Sequence, residues 1–551
     1  MRATPRLALI ASLLTGFQVD CPAEPGRDAR GRRGAVTADH MLAVEAGLQV
    51  LKDGGNAIDA AITMAGVISV VRPHANGVGG DMFLLYHEAA TGRVHALNAS
   101  GRSGSLATLE RVREKAGHSG VFPERGSLSI SVPGAVGGWA AALDRFGTRS
   151  LAQALAPAER LAHGFTVSPE LAAEFAHEAG LLAPGSEAAR IFLPGGKPPA
   201  AGSTLALPEL AATLARIRAK GPAEIYGGET GRKIVEHLAS VGGLLTLEDL
   251  RANRPDWVDP ISTGYRGLTV YAMPPNTQGV FLLETLGLLR GFDLKAMGHN
   301  SPDYLHTLIS AWKLGIADRN AHVADPASMR VTVRELLEPA RLARLASGID
   351  PTGRASTPGA RVTSDQPNTV YLSAVDERGN AVSLIQSQFG FFGSGIVVPG
   401  TGVLLHNRGS SYSLDKDHPN VVAPRKRPYH TLCPALARRD GAPWLAFGTP
   451  GGDGQVHTLT QILNNVLIFG MEPQAAIDAP RMRRMPNGQI MVEDRVPAPA
   501  RAALGARGYE VVTRAGRTTD FGGAQAILVG RGDAGCRAGA DRRREAAALA
   551  Y

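Results

Sequence analysis

The sequence predicts a mixed α and β fold. Three observations point to it: residues 150–260 are mainly helical in pattern, strand-like segments return at 261–271, and the second half carries hairpin-like blocks. The composition is that of a globular protein, with 44% hydrophobic and 20% charged residues among 551. Such a length predicts about two to four domains, or one large unit of two subunits.

The first hundred residues predict two helices and three strands. In order, we expect a strand at 34–38, helices at 41–52 and 57–70, and strands at 83–87 and 94–97. The second helix is apolar almost all round, so it is expected to be central and buried. The glycine-rich segment at 76–80 precedes a strand rather than opening a helix, and therefore does not indicate a nucleotide-binding loop.

The middle of the chain predicts a helical region and then a return to strands. Helices are expected at 151–164, 169–180, 207–220 and 231–241 and, after the strands at 261–271, at 279–289 and 302–319. Residues 348–363 are rich in Pro, Gly, Ser and Thr, which indicates a mobile linker.

The stretch 368–402 is the segment around which the rest is organised. Apolar and polar residues alternate at its start, a turn follows at 376–380, and an extended pattern resumes at 381–385. Thr369 therefore stands at the very start of a strand. If the bond before it were cut, its free α-amine could act as general base for its own hydroxyl. On the local pattern alone, Thr369 is an ordinary strand residue.

The flanking residues change that interpretation. The run from Thr369 through Ser373 and Val375 to Asp376 resembles the start of the small subunit in the γ-glutamyltranspeptidase family, whose nucleophile lies in a Thr-x-x-x-Ser-x-Val-Asp run. The similarity extends from about residue 35 to the C-terminus. Members are N-terminal-nucleophile (Ntn) hydrolases made as one chain that cleaves itself.

The resemblance implies the architecture. It predicts an α+β four-layer αββα sandwich, where periodicity alone predicts only mixed α and β. The cut would fall between Asn368 and Thr369, giving a large subunit at 24–368 and a small subunit at 369–551 that stay together as a heterodimer. The predicted linker at 348–363, near the end of the large subunit, would let the new N-terminus of the small subunit open to substrate.

A second stretch, 448–454, predicts an oxyanion site. Gly451 and Gly452 lead into a helix expected at 456–469, and backbone N–H groups at a helix start favour negative charge. In the family this glycine pair stabilises the tetrahedral intermediate; the other interpretation is a tight turn without a ligand. The resemblance also places Ser387 near the Thr369 α-amine, although Ser387 is equally compatible with a plain strand residue.

The acyl-binding residues depart from the family pattern. The resemblance assigns the substrate carboxylate to Arg102, displaced by about two residues, and to His430 and Thr431, which stand where the family has a serine pair. Phe389 and the run 404–411, which ends in Ser411, lack the Asn and the acidic pair that hold a substrate ammonium. A buried unpaired ammonium is costly, so the pocket should tolerate glutaryl groups, as cephalosporin acylases do.

Charge and cysteine content add few constraints. The net charge of +8 comes from scattered arginines and a final Arg542–Arg543–Arg544 cluster, which we interpret as solvated surface rather than a nucleic-acid footprint. Three cysteines cannot form a disulfide framework. An apolar run within residues 1–23 predicts a signal peptide and a periplasmic or secreted protein, otherwise a cytoplasmic one, without a membrane span.

The sequence thus predicts a self-processed threonine amidohydrolase or acyltransferase that acts on small γ-glutamyl or glutaryl amides without a cofactor or metal. The sequence contains no Gly-x-Ser-x-Gly elbow, which disfavours a serine hydrolase. It also contains no His-Glu-x-x-His motif, which disfavours a metallohydrolase. The remaining alternative is a non-enzymatic scaffold relative that is never processed.

Overall fold

A computed structural model describes residues 26–117, 120–355, 367–530 and 534–551. The strands of its first half are β1 (Asp28–Gly31), β2 (Ala35–Ala38), β3 (Asp81–Glu88), β4 (Arg93–Ala99), β5 (Phe165–Thr166), β6 (Thr204–Leu205), β7 (Asp256–Val258), β8 (Ile261–Tyr265) and β9 (Leu268–Ala272). Those of the second half are β10 (Pro367–Val375), β11 (Ala381–Gly390), β12 (Val397–Val398), β13 (Val403–Leu404), β14 (Ala435–Arg439), β15 (Ala442–Gly448), β16 (Met482–Arg484), β17 (Ile490–Glu493), β18 (Val511–Arg514), β19 (Gln525–Val529), β20 (Cys536–Ala540) and β21 (Ala547–Ala550).

The helices lie mainly between these strands in sequence. The first ten are α1 (Met41–Lys52), α2 (Ala57–Val71), α3 (Leu109–Ala116), α4 (Ala135–Phe146), α5 (Leu151–Ala162), α6 (Pro169–Glu178), α7 (Glu187–Phe192), α8 (Pro208–Lys220), α9 (Ala223–Tyr226) and α10 (Glu229–Ser240). The others are α11 (Leu247–Ala252), α12 (Gly279–Leu289), α13 (Leu294–Met297), α14 (Pro302–His322), α15 (Val333–Leu336), α16 (Pro339–Ala346), α17 (Gln455–Leu467), α18 (Pro473–Asp478) and α19 (Ala498–Ala506).

The described residues form two seven-stranded sheets that pack face to face. Sheet I has the order β21-β2-β10-β11-β3-β4-β7, and sheet II has the order β1-β20-β19-β15-β14-β9-β8. One apolar cluster, which includes Phe83, Tyr371 and Ile527, fills the space between them. Helices including α1, α2 and α4 cover the outer face of sheet I, and helices including α12 and α17 cover that of sheet II. This arrangement confirms the predicted αββα sandwich.

Helix α2 illustrates why the local predictions succeed. Asn56 caps it, and the Asp59 side chain accepts from the Asn56 N–H in return, so the start is a complete capping box. All of its residues are buried, as the all-round apolar pattern predicts. The helix lies against β10 and thereby supports the strand that carries Thr369.

Two of the predicted segments lie wholly or partly where the chain is not described. The predicted signal peptide at 1–23 and residues 356–363 of the predicted linker lie outside the described residues. Within the described ranges, no helix is both long and apolar enough to cross a bilayer.

Candidate active site

Thr369 lies near the start of β10 in sheet I. The ladder pairs Asn368 with Phe389 and Val370 with Gln386, so the register shifts at Thr369 and forms a bulge. In the uncleaved chain the threonine is fully buried. Bulges often occur beside active sites, where they redirect a side chain. The predicted nucleophile therefore stands at the one interruption of this ladder.

Ser387 on β11 connects the Thr369 hydroxyl to the bond predicted to be cut. Its Oγ lies 3.0 Å from Thr369 Oγ1 and donates to the Asn368 carbonyl at 2.7 Å. A hydroxyl has one proton to donate. Because Ser387 donates it to the carbonyl, the threonine is the donor in the hydrogen bond between the two hydroxyls. The Phe389 N–H donates to Ser387 Oγ at 2.7 Å and helps to hold it in place.

Arg544 reaches the same segment from the C-terminal end of the chain. Its Nη1 donates to Asn368 Oδ1 at 3.1 Å and to the Thr369 carbonyl at 3.4 Å. The interpretation of the arginine cluster as solvated surface is wrong for Arg543 and Arg544, which are buried. No local signal marks Arg544, because it lies 175 positions from Thr369 in sequence.

Gly451 and Gly452 form the turn that precedes α17. Their φ angles are 128° and 54°, in the region that favours glycine. A 3₁₀ turn at Gly452–Gly454 contacts β10 and continues directly into the helix. The first N–H groups of a helix have no intrahelical acceptor, so this turn can offer donors to an oxyanion. The oxyanion role itself stays a prediction.

A cavity of about 320 Å³ adjoins this turn. Gly451 and Arg544 both line it, and Arg544 connects the glycine turn to the start of β10. Glu174 adds a carboxylate that lies 2.7 Å from both Arg72 and His74. Burial alone would raise the pKa of Glu174, but Arg72 and His74 outweigh it and hold the pKa well below its usual range. The cavity is thus lined by charges of both signs, and Arg544 joins it to the Thr369 carbonyl.

His430 contacts a carboxylate of the protein itself. Its Nε2 lies 3.0 Å from Asp81 Oδ2, and its ring packs edge-on against Phe83 with the centroids 4.8 Å apart. Burial lowers the pKa of His430 to about 3, with a further contribution from Arg408 and against the effect of Asp81. The imidazole is therefore neutral, and it donates to Asp81. Its predicted role in substrate binding stays a prediction.

Arg408 lies where two other predicted pocket residues meet. Its Nη1 is 3.3 Å from Ser411 Oγ, and its Nη2 is 3.4 Å from Thr431 Oγ1. Its Cζ lies 3.7 Å from the centre of the Phe389 ring, a cation–π distance. The sequence interpretation assigned Arg408 no role. The signal that could have found it is an arginine within a pocket expected to bind a carboxylate.

Arg102, the predicted carboxylate-binding residue, is half-exposed and already engaged. Its guanidinium lies 3.4 Å from Asp325 and 3.7 Å from Asp256, and it donates to the Arg425 carbonyl at 3.3 Å. Two carboxylates of the protein thus compete for its charge. Its assignment to the substrate stays a prediction.

Comparison with known proteins gives consistent matches over most of the chain. A sequence profile for gamma-glutamyltranspeptidase matches residues 43–551. The glutathione hydrolase-like YwrD proenzyme of Bacillus subtilis (strain 168) is 40% identical over 455 residues, which cover 82% of this chain and 85% of that protein. The oxamate amidohydrolase proenzyme of Klebsiella pneumoniae is 36% identical over 456 residues, which cover 81% of this chain and 84% of that protein.

A solved structure agrees with these matches. The cephalosporin acylase from Bacillus halodurans superposes with a TM-score of 0.89 at 35% identity, over 98% of this chain and 99% of the other. The likeness therefore extends to both sheets and to their helical layers.

Proposed function

The chain is an enzyme of the gamma-glutamyltranspeptidase family, and from this premise we propose that it cleaves itself between Asn368 and Thr369 and then hydrolyses small amides through the Thr369 hydroxyl. Its relatives carry the names of hydrolases and acylases, and some are named as proenzymes. The observation that carries the proposal is the position of Ser387 Oγ, 3.0 Å from Thr369 Oγ1 and 2.7 Å from the Asn368 carbonyl oxygen.

Self-cleavage begins with attack of Thr369 Oγ1 on the carbonyl carbon of Asn368. Ser387 accepts the threonine proton while its own proton polarises the carbonyl oxygen under attack. The C–N bond then breaks, the nitrogen takes up the proton, and an ester joins Asn368 to the Thr369 oxygen. Water hydrolyses this ester. The products are a carboxylate at Asn368 and a free α-amine at Thr369.

The mature reaction uses this new amine as general base. Thr369 Oγ1 attacks the amide carbonyl of the substrate, and the N–H groups of Gly451 and Gly452 stabilise the oxyanion. The amine product leaves with a proton from the α-ammonium group, and an acyl-threonine ester remains. Water or an acceptor amine then releases the acyl group.

The two fragments would stay associated because both sheets interleave them. In sheet I, β2 precedes the cut but lies between β21 and β10. In sheet II, β1 pairs with β20, and β9 pairs with β14 across the same division of the chain. Separation would break these ladders and expose the apolar clusters, so the mature protein is a heterodimer of residues 24–368 and 369–551.

The substrate class that we propose is γ-glutamyl or glutaryl amides. Phe389 and Ser411 occupy the positions expected to hold a substrate ammonium, and neither carries a negative charge. Glutaryl amides, which have the carboxylate without the amine, therefore fit the pocket better.

Denaturing gels with mass spectrometry test the proposal. The purified wild type should give two fragments divided after Asn368, and Thr369→Ala should give one intact chain that hydrolyses no glutaryl-p-nitroanilide. The exposed Thr91→Ala serves as a control and should behave as wild type. A soluble wild type that remains intact and inactive would favour the scaffold alternative, and cleavage of Thr369→Ala at the same bond would exclude Thr369 as the nucleophile.

A further inference from the structure

We propose that Arg408 binds the carboxylate at the far end of the acyl group, so that the enzyme acts on monoamides of short dicarboxylic acids that carry no α-amine. This assignment rests on the proposed function, since it names the acyl group that Thr369 would accept. It replaces Arg102 with Arg408 as the residue that selects the substrate carboxylate.

The first argument is that the Arg408 charge is buried and has no carboxylate partner within the described ranges. The residue is 1% exposed, and no carboxylate of the described residues forms an ion pair with its guanidinium. Other buried arginines, such as Arg72, Arg319 and Arg481, each pair with a carboxylate at 2.8 Å or less. A buried charge is costly unless it is paired. Arg408 therefore has an open requirement for an anion.

The second argument is the state of its donors. The two bonds to Ser411 and Thr431 are long, 3.3 and 3.4 Å, and go to neutral hydroxyls. Nε has no hydrogen-bond partner among the described residues. A guanidinium forms its strongest hydrogen bonds with a carboxylate, often in a two-point fork. Both hydroxyls can turn and donate to the same carboxylate, so the three residues form one anion site.

The third argument is the position of this group next to the reacting bond. Arg408 stacks on the Phe389 ring, and Phe389 is the ladder partner of Asn368. The Phe389 N–H donates to Ser387, which contacts Thr369. A single residue thus separates the guanidinium from the hydroxyl pair, which suits a substrate with its carbonyl at Thr369 and its carboxylate a short chain away.

The fourth argument is that Asp81 and Asp453, the two carboxylates whose charges act on Arg408, are already engaged. Asp81 lies 3.3 Å from His406 and 3.0 Å from His430. Asp453 pairs with Arg319 at 2.8 Å. Neither neutralises Arg408 at contact distance, so the pocket keeps a positive charge. This charge attracts a carboxylate and repels the α-ammonium of a γ-glutamyl group.

The test compares p-nitroanilides of oxalic, succinic and glutaric acids with neutral counterparts whose carboxylate is replaced by a primary amide. For the acyl length that the wild type cleaves best, kcat/KM should favour the carboxylate by roughly 10- to 100-fold, the usual effect of a charge-assisted hydrogen-bonded pair. The γ-glutamyl anilide should have a lower kcat/KM than its glutaryl counterpart. If the wild type shows equal kcat/KM for the carboxylate anilide and its neutral counterpart, the assignment is overturned without any variant.

Variants then locate the preference. Arg408→Gln should still cleave itself but lose the carboxylate preference, so that the ratio of kcat/KM for the carboxylate anilide to kcat/KM for the neutral anilide falls to about one, and Arg408→Lys should retain part of the preference. The exposed Arg111→Gln is the matched control and should retain it fully. If Arg408→Gln keeps the preference, or if Arg102→Gln alone removes it, Arg408 is not the selecting residue. If the wild type stays uncleaved and hydrolyses none of the anilides, both the proposed function and this assignment are contradicted.

Discussion

Arg543 and Arg408 are both buried arginines, yet their surroundings are opposite. Arg543 donates to Glu493 at 2.6 Å, to Asp541 at 3.1 Å and to the carbonyls of Ile477 and Ala479 at 2.9 and 3.0 Å. Arg408 meets only two hydroxyls and an aromatic ring among the described residues.

The difference separates a structural charge from one available to a ligand. Around Arg543 each positive group faces carboxylates of the same protein, and Arg481 adds a further contact to Asp541 at 2.8 Å. Such a cluster joins distant segments, and its paired charges are not available to a ligand. Around Arg408 the described residues supply the cation without a paired carboxylate, which is the condition for selecting a charged substrate. Three predictions can break or sharpen this contrast.

The largest expected effect is on stability at Arg543. Arg543→Gln should lower the free energy of unfolding by about 3 kcal/mol, because it leaves buried carboxylates short of a partner. Arg408→Gln should change it by no more than about 1 kcal/mol, since it removes an unpaired charge. Urea unfolding measures both. Arg514→Gln, which breaks an exposed ion pair to Asp520, is the control and should cost about 0–1 kcal/mol.

Equal losses at Arg543 and Arg408 would break the comparison, because they would show that both charges stabilise the fold alike.

The second effect is on the rate of self-cleavage. Ser387→Ala removes the hydroxyl that joins Thr369 to the Asn368 carbonyl, so fragments should appear roughly 100-fold more slowly. Ser387→Thr keeps a hydroxyl and should retain much of the rate. The measurement is a time course of fragment formation on denaturing gels after synthesis. Cleavage of Ser387→Ala at the wild-type rate would contradict the proton path.

The smallest effect is on the pH dependence of the Arg543 cluster. Burial alone would raise the pKa of Asp541, but Arg481 and Arg543 outweigh it and lower the pKa below its ordinary value of 3.8. The folded state thus binds this proton more weakly than the unfolded state. The stabilisation is complete well above the unfolded-state pKa of 3.8 and is lost progressively as the pH falls through 3.8 towards the lowered pKa of the folded state.

Wild type and Asp541→Asn should therefore differ by a constant free energy of unfolding between about pH 5 and pH 7, and by less below about pH 4. Urea unfolding at several pH values gives this difference. A gap that widens on acidification would mean that Asp541 does not carry the pairing energy.

The sequence by itself determined the features that depend on local pattern. The buried helix α2 follows from an apolar run with a capping box, and the position of Thr369 follows from a strand and its flanking motif. The glycine turn before α17 follows from residues that tolerate positive φ. Each of these depends on neighbours a few positions away, so a single stretch of sequence contains the information.

Only the tertiary structure decided which charges are structural and which are available. Arg544 meets Thr369 across 175 positions, Arg102 is matched by Asp256 and Asp325, and Arg408 finds no carboxylate partner in the part of the chain that the structure describes. The interaction of a charged side chain depends on burial and on partners brought together from distant segments. The sequence shows where these arginines stand along the chain, but the packing of the two sheets determines what each one can bind.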